Sequence, residues 1–197
     1  DHVTDETLAR YNAVSHQANG LLRGIKGDVY EGGHRVPFIV RWPAKLKGGE
    51  KINETICLTD IFETLVEVTG GIKPEGNAED SYGFFQIITG EKETVNRLPV
   101  IHHSGGKGMF AIRKGDWKLL SRYVSDYRYF NKWGYEKTPR VKEWELYNIK
   151  DDRWEMEEVS KEHPIMVKEL EREYLDWAKR VGEIPREELI KGTKAKF

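Results

Sequence analysis

Hydrophobic and polar positions follow two regimes along the chain. Val36–Trp42 is an apolar, β-branched run stopped by Pro43, the pattern of a strand covered on both faces. A charged, glycine-containing turn follows at 45–51. Leu58, Ile61, Phe62, Leu65, Val66 and Thr69 then recur at i, i+3 and i+4. That spacing predicts a helix capped by Thr59, with Asp60 in its first turn and Gly70 as its stop. Residues 71–81 read as loop, and Ser81 as the cap of a short helix closing at Gly90.

Beyond about residue 95 the period shortens. Leu98–His103, Met109–Arg113, Trp117–Ser121 and Trp144–Tyr147 are short strand patterns, the middle two joined by a tight turn at Lys114-Gly115. An aromatic and basic excursion fills 122–143. A helix is predicted from about His163 to Val181, with Pro164 in its first turn and an apolar stripe of Met166, Leu170, Tyr174, Trp177 and Val181. Residues 1–19 read as loop and 191–197 as a frayed tail. The pattern predicts the end of an α/β body over 1–95 and a small antiparallel α+β subdomain over 96–197.

Composition narrows the function. The 197 residues carry 32 basic and 33 acidic side chains, a formal net charge of −1, which argues against nucleic acid as a partner. Cys57 is the single cysteine, so neither an internal disulfide nor a thiolate metal cluster is available. No apolar run reaches the roughly 18 residues that span a bilayer, so no membrane partner is expected. The chain opens on Asp1-His2 without an initiator methionine, so a segment of a longer protein is expected.

The chemistry concentrates at residues 20–43. There a glycine-broken loop carries Lys26 between Gly24 and Gly27 and runs into the Val36 strand pattern. Such a loop can hold one positive charge at a sheet edge, where an anion could sit. Glu31 and Arg35 flank Gly32-Gly33-His34; a buried ion pair that fixes the loop is the stronger reading, a catalytic carboxylate the weaker. His102 and His103 end a strand beside the glycine-rich stretch carrying Lys107. Alternation along the strand lets at most one of the two histidines face a cleft. Residues 106–111 match a loose dinucleotide-loop pattern but precede a strand rather than a helix, so that reading is discarded. Glu155–Glu158 reads as a solvated turn. Tyr123, Tyr127, Tyr129, Phe130 and Trp133, interleaved with Arg and Lys, suit local packing first and stacking on sugar rings second.

Leu22 to Pro37 has the form Leu-Arg-Gly-x-Lys-Gly-x-x-x-Glu-Gly-Gly-x-Arg-Val-Pro, and a Trp-Pro follows at 42–43. Together with Thr59–Leu65, Ala111–Leu119 and Glu145–Asn148, this resembles the C-terminal half of the type I, formylglycine-dependent sulfatases. The resemblance implies an alkaline-phosphatase-like α/β fold, of which this chain supplies closing strands and helices, plus a small C-terminal antiparallel sheet packed on a long helix. It implies hydrolysis of a sulfate ester, Lys26 gripping the sulfate, and His102, His103 or Lys107 on the substrate side. A sulfated small molecule or sugar would be the substrate. Calcium and formylglycine are expected in the complete enzyme. Neither is expected on this chain alone, because no Cys- or Ser-x-Pro-x-Arg motif and no N-terminal aspartate pair occurs in it. Asp1-His2 stands where a metal-binding pair would lie, but without the glycine that usually follows; an ordinary loop pair is the alternative. The isolated chain is therefore expected to be inactive and to need the missing N-terminal half. A periplasmic or extracellular setting is expected if the source is bacterial. The other reading is a non-catalytic binding module that kept the scaffold.

Overall fold

The computed structural model describes residues 19–104, 109–124 and 141–181. Asp1-His2, Lys107, the aromatics at 127–133 and the 191–197 tail lie outside the described residues. The chain divides into two units, one made of residues up to 35 with 101 onward, the other of Val36–Val100.

In the first unit, strands β1 (Val100–His103), β2 (Phe110–Lys114), β3 (Trp117–Val124) and β4 (Val141–Asn148) form one sheet in that order. β2 pairs β3 and β3 pairs β4, both antiparallel. The β2–β3 turn is Gly115-Asp116, because Lys114 pairs with Trp117; the sequence reading placed it one residue early. Gly115 takes φ 56°, which a tight hairpin demands at this position. Alternate residues divide the sheet's faces. Ile112, Leu119 and Leu146 pack under helix α4 (Pro164–Val181), meeting Leu170 and Tyr174. Ala111, Leu120 and Tyr147 point the other way and meet Val29. The loop at 22–35 therefore covers the second face. The sheet is buried on both sides, each large apolar side chain contributing roughly 1.5–3 kcal/mol.

The second unit is held by polar anchors. Helix α2 (Asp60–Thr69) ends at Gly70 in the left-handed conformation, as its sequence predicts. Its start differs from the expectation. Thr59 is itself helical in backbone and makes no cap; its hydroxyl donates to the Asp80 carbonyl. Ser81 does the capping from 18 residues away: its Oγ accepts the Glu63 N–H at 2.9 Å and donates to Thr59 O at 2.8 Å. Ser81 is thus committed to α2 and does not cap the short helix α3 (Phe85–Ile88). Asp60, 0% exposed, accepts the N–H of Cys57 and of Tyr82 and pairs with Arg97.

Two further expectations are corrected. Residues 35–42 form no strand, and Val36, Phe38, Ile39 and Val40 are exposed. A strand is made by its ladder partner, and no segment among the described residues pairs with this run. The α2 stripe is likewise turned outward: Leu58, Phe62 and Leu65 are exposed, whereas Asp60 and Thr64 are buried. No helix among the described residues is long and apolar enough to cross a membrane.

Candidate active-site loop

Residues 25–28 form a tight turn. The Asp28 N–H donates to Ile25 O at 2.9 Å, and Asp28 Oδ2 accepts the Ile25 N–H at 3.0 Å. Gly27 sits third in the turn with φ 91°, the position and sign that a type II turn requires. Lys26 stands second, at the tip. Its side chain is exposed and has no hydrogen-bond or ion-pair partner among the described residues.

The base of the turn is tight. Helix α1 (Glu31–His34) brings Gly32 and Gly33 against the backbone of 22–28. The Gly32 N–H donates to Arg23 O at 2.7 Å. A Cβ on Gly32 would lie 2.4 Å from Gly24 O, and one on Gly33 would lie 2.2 Å from Asp28 O. Only glycine permits this approach.

Beneath the loop lies a buried charge cluster. Lys118, 0% exposed, places Nζ 3.0 Å from Glu31 Oε1 and 2.8 Å from Glu155 Oε1. The Glu155 contact has ion-pair distance without hydrogen-bond geometry at that oxygen. Arg35 and Arg113 reach Glu31 Oε2 at 3.2 and 3.5 Å. Burial pushes the Glu31 carboxyl up, but Lys118 and the two arginines outweigh it and hold it below the usual carboxylate range. At Glu155 burial wins, and the carboxyl is raised despite Lys118. Glu155 therefore does not belong to a solvated turn, as its sequence suggests; it is fully buried. The Glu31–Arg35 ion pair read from the sequence is present within a larger network.

The two strand-end histidines separate as alternation requires. His102 turns inward, and its Nε2 donates to Val29 O at 3.1 Å. Its ring lies 4.1 Å from that of His34. Burial, with the positive charge of Lys118, lowers its pKa to about 3, so it is neutral at physiological pH. His34 is lowered for the same two reasons, and its buried Nε2 has no partner. His103 is exposed; its Nδ1 donates to Ser104 O at 3.0 Å, which leaves Nε2 outward. Cys57 is half-buried, 3.4 Å from Arg97, and burial raises its thiol pKa, the opposite of a nucleophile's environment. Among the described residues, no three His, Cys, Asp or Glu side chains gather as a metal site would require.

Residues 26–179, from the turn-tip lysine to the last turn of α4, match the family model described as N-sulphoglucosamine sulphohydrolase, C-terminal. The chain belongs to the sulfatase family. It corresponds to the C-terminal part of such an enzyme. Over 170 residues this sulfatase segment is 32% identical to an N-acetylgalactosamine-6-O-sulfatase of Bacteroides thetaiotaomicron, covering 86% of the chain and 32% of the relative. It is 26% identical to an ulvan-active sulfatase of Formosa agariphila over 210 residues, covering 96% of the chain and 41% of the relative. A solved structure from work on glycosaminoglycan metabolism by Bacteroides thetaiotaomicron superimposes with a TM-score of 0.70 at 33% identity, covering 90% of the chain and 35% of that structure. A structure of Ps i-CgsB in complex with k-i-k-neocarrahexaose gives 0.61 at 26% identity, covering 80% and 32%. The segment thus spans about a third to two-fifths of these relatives' length, and its fold is that of the alkaline-phosphatase-like sulfatases.

Proposed function

We propose that this segment supplies the sulfate-holding cation and substrate-side residues for hydrolysis of a sulfate ester on a carbohydrate. The observation that carries the reading is Lys26: an unpaired ammonium at the tip of a turn whose base is locked by Gly32, Gly33 and Asp28. A cation carried on a turn whose backbone is held this way can be brought to sulfate oxygens and stabilise their charge as the S–O bond breaks. His103 is the better placed of the two histidines to act on the leaving oxygen, since its Nε2 faces outward while His102 is spent on Val29 O. With both ring nitrogens protonated, its Nε2–H would donate the proton that the departing alkoxide takes up, leaving a neutral ring whose Nδ1–H stays on Ser104 O. Lys107, four positions along the chain, is the second candidate cation. A carbohydrate substrate is supported by the names of the relatives, which act on N-acetylgalactosamine 6-O-sulfate and on ulvan.

In the complete enzyme, residues 1–95 would belong to the catalytic body and 96–197 would form its C-terminal subdomain. Calcium and formylglycine are expected there, but the described residues form no cage for a metal. The segment alone is expected to be inactive.

The test is expression with the upstream reading frame, assayed against matched sulfate and phosphate monoesters and sulfated N-acetylhexosamines. Hydrolysis of sulfate esters in preference to phosphate supports the reading. A frame without a Cys- or Ser-x-Pro-x-Arg motif, giving a protein that binds sulfated sugar without turnover, would favour the binding-module alternative.

A further inference from the structure

Glu155 touches both ends of the Lys26 loop. Its backbone carbonyl accepts Arg23 Nη1 at 3.1 Å, and its carboxylate accepts the Glu31 N–H at 2.6 Å. Lys118 then joins that carboxylate to Glu31 from the sheet. Arg23 is held further by Tyr147 OH at 2.8 Å and lies over the Tyr30 ring at 4.0 Å. The Glu155 backbone takes φ 56°, a left-handed conformation that glutamate seldom adopts. Such a residue persists where its surroundings over-determine it. Here the surroundings are the two anchors of one loop.

We infer that Lys118 and Glu155 are positioning residues for Lys26. They clamp the loop at residues 23 and 31 against the C-terminal sheet, so that the turn carrying the Lys26 side chain starts from one backbone position. The inference rests on the reading of Lys26 as the sulfate-holding group. A displacement of about 1 Å in such a group can cost on the order of 100-fold in rate. Neither residue needs to touch substrate; their effect passes through the loop.

The test uses the complete enzyme, with Lys118→Met and Lys26→Ala made singly and together. Two quantities are read: kcat/KM on an aryl sulfate, and amide hydrogen exchange of residues 22–33 and of β2–β3. Lys118→Met should lower kcat/KM at least tenfold and speed exchange in 22–33 while β2–β3 stays protected. In the Lys26→Ala background it should cost less than about threefold more, because the group it positions is gone. Losses that multiply in the double variant would overturn the inference, as would loosened exchange with unchanged kcat/KM. Should Lys118→Met fail to fold, Lys118→Arg keeps the charge but displaces its head group. A partial loss with partial loosening is then expected, and wild-type values of both would overturn the inference. A near-wild-type Lys26→Ala enzyme removes the sulfate-holding reading and this inference with it. A large Lys26→Ala loss beside an unaffected Lys118→Met enzyme sinks the positioning role alone.

Discussion

The Glu31 N–H donates to Glu155 Oε2 at 2.6 Å across 124 residues of sequence. This bond ties the first turn of α1, directly behind the Lys26 loop, to the turn that leaves the C-terminal sheet. Its surroundings make the sheet a platform for the loop rather than a separate appendage. The cross-strand register explains how. Arg113 pairs with Lys118, and Lys118 with Tyr147, so three polar side chains share one row on the face that the loop covers.

Close packing of the loop gives the first prediction. Gly33→Ala forces a Cβ to within 2.2 Å of Asp28 O, a backbone atom that has no room to yield. We expect a loss of about 3 kcal/mol by urea denaturation, at the upper end for overpacking. Gly48→Ala meets nothing within 4 Å and serves as the control. Its stability should change by less than about 0.5 kcal/mol or rise slightly. Equal behaviour of the two variants would contradict the packing described here.

Asp60 is the anchor of the second unit. Removing it leaves Arg97 and two backbone N–H groups without their acceptor. Asp60→Ala should destabilise by about 3–5 kcal/mol, the range for breaking one side of a buried ion pair. A shift in denaturation midpoint equivalent to less than 1 kcal/mol would show that the anchor is dispensable.

His102 sets a pH dependence. Its folded pKa of about 3 lies below the unfolded value of 6.5, so between those values the unfolded chain binds more protons. Its contribution is complete above pH 6.5 and is lost as pH falls toward 3. His34 shifts in the same direction. Urea midpoints should therefore fall from pH 7 to pH 4.5, and His102→Gln should flatten that fall. An unchanged slope in the variant would mean that His102 does not titrate on unfolding.

The exposed apolar surface of the second unit carries a prediction for the isolated segment. Ile39 is 89% exposed and Leu58 70%, with Phe62 and Leu65 nearby on α2. Surfaces of this kind are normally covered. On its own the segment should self-associate in light scattering at micromolar concentration, and Phe62→Glu with Leu65→Lys should reduce that association. A clean monomer at that concentration would mean that this apolar surface needs no cover.

Elements whose partners lie close in sequence were legible beforehand. Gly70 stops α2, and the Leu170 and Tyr174 stripe meets the sheet, because periodicity and local turn chemistry decide both. What failed depended on distant partners. Ser81 sits before a short helix and looks like its cap, yet α2 claims it. Lys118 received no reading of its own from the sequence. The loop from 22–35 covers its face of the sheet, and sequence spacing carries no sign of it. Glu155 lies in an acidic run, where burial of one member cannot be read from its neighbours. The turn that carries Lys26 was legible because its flanking glycines mark it; the sulfate-holding role came only from the family resemblance.

One experiment decides whether that turn tip does chemistry. In the complete enzyme, kcat/KM for an aryl sulfate should fall by at least 100-fold on Lys26→Ala, about 2.7 kcal/mol of lost transition-state stabilisation. The melting temperature should stay within a few degrees, because the side chain is exposed and unpartnered. A loss of only a fewfold in a correctly folded variant would mean that this lysine does not hold the sulfate.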